Sequence, residues 1–374
     1  LSHNFVETIS MKPYGIQSDS HHHNWSAFSH TTANGINNRL EGCLNEVRRL
    51  AAEVKSAGGN TIYHTGDLFH VRGQIAPSVL NPTLDVYRQL IEEGFIIRIL
   101  AGNHDLEDRH VTRTGSAVTA LEGIGCQIVN KPTFFNDDRV VMIPWIESVK
   151  GLKDEIEKAK KHIESMPSPP PLRSMESISD WTLMIHAPVD GVIAGLPEHG
   201  LTASDLEQYG FKLVFSGHYH HHKQLSETVY SVGALAHYTW SDVGHKAGFL
   251  VVNNTDVRWY KSHLPAFVEI DGSMDELDIQ AVVPGNYVRA KIKIVKQIEI
   301  EQFRKYLTDI GAQGVTIIAS KPVADVQRAN AAVKAGASIE SSVTQFITNS
   351  PLNSPQLDAL CQSILTEARM EVAE

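Results

Sequence analysis

Cysteine is scarce in this chain: Cys43, Cys126 and Cys361 are the only three in 374 residues, with no C-x-x-C spacing among them. That pattern argues against a disulfide framework or a thiolate zinc site and leaves the three as small core residues. Basic charge is also short, with 33 Lys plus Arg against 43 Asp plus Glu and a formal net charge of −10. Overall basic character therefore cannot draw nucleic acid to the protein, and any attraction for phosphate must be local or come from a partner. No apolar run reaches the roughly 18 residues of a membrane span, and the N-terminus lacks the basic, apolar and small-residue order of a secretory signal. The chain reads as soluble and cytoplasmic, with no membrane partner. Residues 1–10 fit no core pattern, and Met11 reads as the natural start.

Apolar residues make up 42% of the chain, enough for about two domains at the usual ~100–200 residues each. From Met11 onward, strand-like and helix-like segments alternate, as in an α/β domain. "KPYGIQS" reads as a strand. Leu40, Leu44, Val47, Leu50 and Val54 then recur at helical spacing up to the stop at Gly58-Gly59. "NTIYHTGD", "FIIRILAGNHD", "DRVVMIPWI" and "WTLMIHAP" read as further strands, with helices around "LDVYRQLIEEG" and "KGLKDEIEKAKKHIES". The Pro-rich break "MPSPPPLRS" is an exposed excursion within one domain. Past "AGFLVVNNTDVRWYKSHLP" the character changes to a smaller α+β pattern. The expected division is 11–264 for the first domain and 265–374 for the second.

Histidine is abundant, 19 in all, and it clusters; "SGHYHHHK" alone holds His218, His220, His221 and His222. Five short segments collect oxygen and nitrogen donors at strand ends: "SDSH" (Asp19, His21), "GDLFH" (Asp67, His70), "GNHD" (Asn103, His104, Asp105), "MIHAP" (His186) and "GHYH" (His218, His220). Open α/β sheets gather ligands beyond the carboxyl ends of their strands, which is where these segments lie. The donor set suits manganese, iron or zinc. In an extended segment side chains alternate faces, so His218 and His220, and likewise Asp19 and His21, are expected to point the same way. Any one motif is weak, since a G-D turn is common and a lone buried histidine is more often a hydrogen-bonded core residue. Five in order leave little room for coincidence. Arg109 and His110, close behind "GNHD", read as bystanders, and His22, His23, His221 and His222 as solvated or supporting residues.

The ordered set D-x-H, G-D, G-N-H-D, H and G-H-x-H resembles the calcineurin-like metallophosphoesterases. "GDLFHVR", "VVMIPW", "SGHYHHHKQLSETVYSVGALAHYTW", "PGNYVRAKI" and "ASIESSVTQFI" are similar to the SbcD-type nuclease subunits of double-strand break repair and their phage recombination counterparts. The resemblance implies a β-sandwich flanked by helices with a smaller C-terminal α+β capping domain. It also implies two divalent metals, manganese first, with magnesium, iron or zinc as alternatives. One metal would be held by Asp19, His21, Asp67 and His220 and the other by Asp67, Asn103, His186 and His218, with Asp67 bridging. His104 would stabilise the transition state or protonate the leaving oxygen, Asp105 would fix its tautomer, and His70 would position a DNA phosphate. The implied activities are double-strand exonuclease and single-strand endonuclease, in a bacterial cell or phage-infected host. The implied partners are DNA, an SbcC-like coiled-coil ATPase and a second copy of the chain. The alternative is a metallophosphoesterase acting on small phosphodiesters or phosphoproteins. The C-terminal amphipathic stretch "SPQLDALCQSILTEARMEV" would cap the domain or dock a partner.

Overall fold

The computed structural model of the protein describes residues 12–108, 110–167, 177–293, 296–319, 338–348 and 354–372. Met11, Arg109 and most of the Pro-rich break lie outside the described residues. Contacts divide the chain into two units. The first runs to Ile292 and adds Lys296–Ile318, and the second comprises Lys293–Val295 and Ala319–Glu374.

Two six-stranded sheets form the body of the first unit. The strands of the first half are β1 (Tyr14–Gln17), β2 (Thr61–His64), β3 (Ile96–Leu100), β4 (Gln127–Val129), β5 (Thr133–Phe135) and β6 (Val140–Ile143). They are followed by β7 (Thr182–His186), β8 (Leu213–Gly217), β9 (Lys223–Gln224), β10 (Val229–Ser231), β11 (Gly248–Asn253) and β12 (Asp256–Lys261). One sheet has the order β12-β11-β1-β2-β3-β4 and the other β5-β6-β7-β8-β10-β9. In each, four consecutive strands run parallel: β1 to β4 in the first, and β6, β7, β8 and β10 in the second. Parallel strands covered on both faces read as continuous apolar runs, and β6, β7 and β8 are buried throughout. Ile16, Tyr63 and Leu100 from one sheet share a core with Met142, Met184 and Phe215 from the other, so the sheets pack face to face as the expected sandwich.

Helices cover the outer faces. Helix α1 (Asn38–Ser56) starts where the Asn37 side chain accepts the backbone N–H groups of Arg39 and Leu40, and it buries the five apolar positions read from its spacing. Helix α2 (Pro77–Glu92) begins with proline, whose missing N–H costs nothing in the first turn. Helix α3 (Val149–Ser165) buries Leu152, Ile156, Ala159 and Ile163, while Lys158 and Lys161 pair with Glu155 and Glu157 in solvent. The short α4 (Ala203–Glu207) precedes β8.

Beyond β12 come β13 (Phe267–Asp271), α5 (Glu276–Val282), β14 (Tyr287–Ile292), α6 (Gln297–Asp309) and β15 (Gly314–Ala319), forming a three-stranded sheet over its own core of Ile270, Val283, Val288, Ala290 and Leu307. The boundary expected near residue 265 falls between β12 and β13, inside the first unit. This small sheet meets the strand-end loops through Phe28, stacked on Tyr287 at 4.9 Å, and through the Phe267 N–H, which donates to His237 Nδ1 at 3.1 Å. In the second unit, α7 (Ile339–Thr348) and α8 (Pro355–Val372) pair, with the Thr344 hydroxyl donating to Asp358. Among the described residues no helix is long and apolar enough to cross a membrane.

Candidate metal centre

Seven residues expected as ligands converge at the carboxyl ends of parallel strands from both sheets. Asp19 and His21 follow β1, Asp67 follows β2, Asn103 follows β3, His186 ends β7, and His218 and His220 follow β8. Donor atoms of Asp19, His21 and His220 lie within 4.8 Å of one another, as do those of Asp67, His186 and His218. Asn103 joins the second group, its Oδ1 standing 3.0 Å from both His186 Nε2 and His218 Nδ1. Asp67 Oδ2 faces both groups, 3.3 Å from His186 Nε2 and 3.9 Å from His21 Nε2.

The convergence does not come from strand alternation. Asp19, His21, Asp67 and His218 adopt φ of 45°, 40°, 59° and 104°, so the ligand loops after β1, β2 and β8 leave their strands through left-handed residues rather than in extended form. Such strained, non-glycine positions gather at functional sites where the surroundings over-determine them. Close packing supplies that constraint. A Cβ on Gly66, itself at φ 106°, would meet His186 Nδ1 at 2.3 Å, and one on Gly102 would meet the backbone nitrogen and Oδ1 of Asp67 at 2.3 Å.

The tautomers indicate what the donor set is suited to hold. His186 Nδ1–H donates to the Thr65 carbonyl at 2.7 Å, so in the neutral ring Nε2 presents a lone pair to the oxygens of Asp67 and Asn103. His220 Nδ1–H donates to Asp242 Oδ1 at 2.8 Å, leaving Nε2 facing His21 Nε2 at 3.1 Å. Lone pairs about 3 Å apart repel unless a cation or proton lies between them, and about 3.0–3.4 Å is the spacing of adjacent donors around one ion bound at ~2.1 Å. The residues therefore fit divalent metals. Without a cation, protons take that place. Burial opposes charge on His186, but Asp67 beside it prevails and raises it to about 9. Burial likewise pushes Asp67 up, and His186 and His21 outweigh it and hold the carboxyl far below its ordinary value. Asp19 is raised by burial and His21 is lowered by it. Burial, helped by His186, lowers His218 to about 3.

His104 lies beside this centre, its ring 4.8 Å from that of His21. Its backbone N–H donates to Asp67 Oδ1 at 2.7 Å, and its Nδ1–H donates to the carbonyl of His70 at 2.8 Å. The expectation that Asp105 orients His104 is corrected here. Asp105 is fully buried, and its two oxygens accept the backbone N–H groups of Asp67, Phe69 and Gly102, so it ties the second and third motif loops together. Burial and the neighbouring Asp67 raise its carboxyl to about 7. The His70 ring stacks on His104 at 5.4 Å and lies 4.4 Å from Trp25.

The surplus histidines are accounted for by packing. His22 Nδ1 is 3.1 Å from the Thr83 hydroxyl, and His23 lies against Trp25. His221 Nδ1 accepts the Lys246 N–H, and His222 stacks on Trp259. Sequence reasoning missed Asp242 behind His220 and Trp145, which stacks on His218 at 5.3 Å. Asp242 stands in no histidine or aspartate cluster, and Trp145, although it ends the quoted "VVMIPW", reads there only as an apolar residue.

The family model for calcineurin-like phosphoesterases matches residues 12–222, more than half of the chain and the stretch that carries every ligand loop. The chain belongs to the calcineurin-like phosphoesterases. This metallophosphoesterase is 24% identical over 245 residues to "Exonuclease subunit 1" of Enterobacteria phage T4, a match covering 61% of this chain and 66%, just under two thirds, of the phage protein. Among solved structures it is similar to a dimetal phosphatase from Danio rerio (TM-score 0.34, 11% identity, covering 68% of this chain and 97% of that one). It is also similar to the nuclease MPE of Pseudomonas putida (TM-score 0.29, 14% identity, covering 66% and 87%).

Proposed function

We propose that this phosphoesterase is a two-metal DNA nuclease, manganese-dependent in the first instance, with exonuclease action on duplex ends and endonuclease action on single strands. The observation that carries the proposal is the pair of donor groups sharing Asp67, with His104 held beside them by backbone bonds. Asp19, His21, Asp67 and His220 would hold one cation, and Asp67, Asn103, His186 and His218 the other. A bound pair of dications supplies Lewis-acid chemistry, neutralising charge on a phosphodiester and easing formation of the attacking nucleophile. Its +4 exceeds the −2 of Asp19 and Asp67, so phosphate is attracted locally although the chain carries −10.

The protein's own groups do the rest. His104, fixed through Nδ1, would hold a proton at Nε2 for the leaving oxygen, and the His70 ring packed against it would help to seat the substrate phosphate. DNA as the substrate draws support from the phage relative named as an exonuclease subunit. The word subunit also supports a partner chain, which by the resemblance would be an SbcC-like coiled-coil ATPase joined to a homodimer. In that arrangement residues from about 265 would form the capping and partner-contact region.

The test is cleavage of linear duplex and single-stranded circular DNA, beside bis-p-nitrophenyl phosphate, with manganese, magnesium or chelator, for wild type and His104→Ala. Manganese-dependent DNA cutting that falls about 10²–10⁴-fold in His104→Ala, with metal content unchanged, is the expected result. Turnover of the small diester with no cutting of DNA, even with an ATPase partner added, would replace the nuclease reading by one of a small-substrate phosphodiesterase.

A further inference from the structure

One buried carboxylate near the centre has no part in the metal-ligand assignments above. Asp242 follows β10 by eleven residues, in the turn 239–242, and is 1% exposed. Its two oxygens are divided between different tasks. Oδ2 accepts the backbone N–H groups of Tyr238 at 2.7 Å and Thr239 at 2.9 Å, which fixes the carboxylate rigidly in its own turn. Oδ1 accepts His220 Nδ1–H at 2.8 Å, while His245 Nδ1 stands off at 3.7 Å. The turn is itself anchored. Tyr238 donates its hydroxyl to the Ser20 carbonyl at 2.6 Å, between Asp19 and His21, and Arg39 donates to the carbonyls of His237 and Tyr238. Among the described residues, His220 is the one of the four histidines assigned to the cations that has a carboxylate hydrogen-bonded behind its ring. His186 is backed by the Thr65 carbonyl, and His21 Nδ1 is buried with no hydrogen-bond partner.

We propose that Asp242 is a positioning residue for His220: it holds the ring in its Nδ1–H tautomer with the Nε2 lone pair turned toward His21, and thereby sets the affinity of the Asp19–His21–His220 half of the centre for a divalent cation. The inference rests on the two-metal reading. A carboxylate behind an imidazole both orients the ring and raises its basicity, and loss of such a partner costs metal affinity about 10–100-fold. The other half of the centre, on His186 and His218, makes no contact with Asp242.

The chemistry of an amide makes Asp242→Asn a sharp test. Two backbone N–H groups require an oxygen at the Oδ2 position, so the Asn NH2 must face His220 Nδ1. That nitrogen then has to accept, the ring proton moves to Nε2, and Nε2 can no longer ligate in the neutral ring. The turn keeps its two backbone bonds throughout.

The experiment is calorimetric titration of Mn2+ into the metal-free full chain, with thermal melts in chelator, for wild type, Asp242→Asn, Asp242→Ala, His220→Ala and the His220→Ala/Asp242→Asn double variant. Histidine 15N–1H correlation spectra in alkaline, metal-free buffer report the His220 tautomer directly. The expected result for Asp242→Asn is a melting temperature close to wild type, one of two sites weakened about 10–100-fold and the other unchanged, no further loss in the His220→Ala background, and a His220 proton moved from Nδ1 to Nε2. Equal affinities in wild type and Asp242→Asn, or an unchanged tautomer, overturns the role of Asp242 alone. Weakening of both sites together with a melting temperature lowered as far as in Asp242→Ala also overturns it, since the role would then be structural. A wild-type chain that takes up no Mn2+ overturns the two-metal reading and this inference with it.

Discussion

At the scale of single residues, Asp67 carries more than one duty. Its Oδ2 faces both donor groups, its Oδ1 holds the backbone of His104, and its own backbone N–H is held by Asp105. Asp67→Ala is therefore expected to weaken both cation sites, and calorimetric Mn2+ titration showing one site untouched would contradict the bridging assignment. His64, which is not itself a ligand, offers a second test. Its Nδ1 accepts the Gly66 N–H and its Nε2–H donates to the Ser20 hydroxyl, and burial lowers it from 6.5 to about 3. The unfolded chain takes up a proton on this ring below pH 6.5, and the folded chain does not until about pH 3. Stability present above pH 6.5 is thus lost as pH falls through that window, by up to about 1.4 kcal/mol per pH unit for this one group. His64→Gln should flatten the pH slope of the urea midpoint between neutral and mildly acidic buffer, measured in chelator; a slope equal to wild type would rule out a neutral buried His64.

At the scale of elements, the ligand loops after β1, β2 and β8 leave their parallel strands through left-handed residues, and glycines let neighbouring loops touch. Gly102, two residues past Leu100 at the end of β3, lies so close to Asp67 that any side chain there collides with it. Gly102→Ala should cost about 1–3 kcal/mol of stability through overpacking and should lower Mn2+ affinity by displacing Asp67. A variant that melts like wild type and binds Mn2+ equally well would mean the loop has room that this geometry denies. The alternation argument used for His218 and His220 fails at this scale. Their side chains do meet the same centre, but the backbone reaches it by φ 104° at His218 and not by continuing β8. Period-2 reasoning holds only while the segment remains a strand.

At the scale of the whole molecule, the centre exists only where the two sheets meet, because Asp19, Asp67 and Asn103 come from one sheet and His186, His218 and His220 from the other. Cations bound there would link the sheets and favour the folded state by mass action. Free Mn2+ at about 100 times its Kd should add about 2.7 kcal/mol per site, seen as a rise in melting temperature that chelator reverses. A melting temperature indifferent to Mn2+ would argue that the donors are not held together in the folded protein. The small sheet after β12 belongs to the same unit and touches the loop carrying His237, so truncation near residue 265 is expected to disturb that loop as well.

What the amino-acid order determined by itself was the set of strands and helices with strong periodicity, the α/β class, and the identity of the donors, because apolar spacing and the clustering of His, Asp and Asn at strand ends are local properties. Residues such as Leu40 to Val54 in α1 and the buried runs of β6, β7 and β8 needed no partner to be read. Only the tertiary structure decided which group stands behind each donor: the Thr65 carbonyl behind His186, the His70 carbonyl behind His104, Asp242 behind His220, and backbone N–H groups around Asp105. Apart from the local Gly102–Asp105 bond, those pairings join positions from 22 to 121 residues apart. They depend on the close packing of one sheet's loops against the other's, which no local pattern encodes.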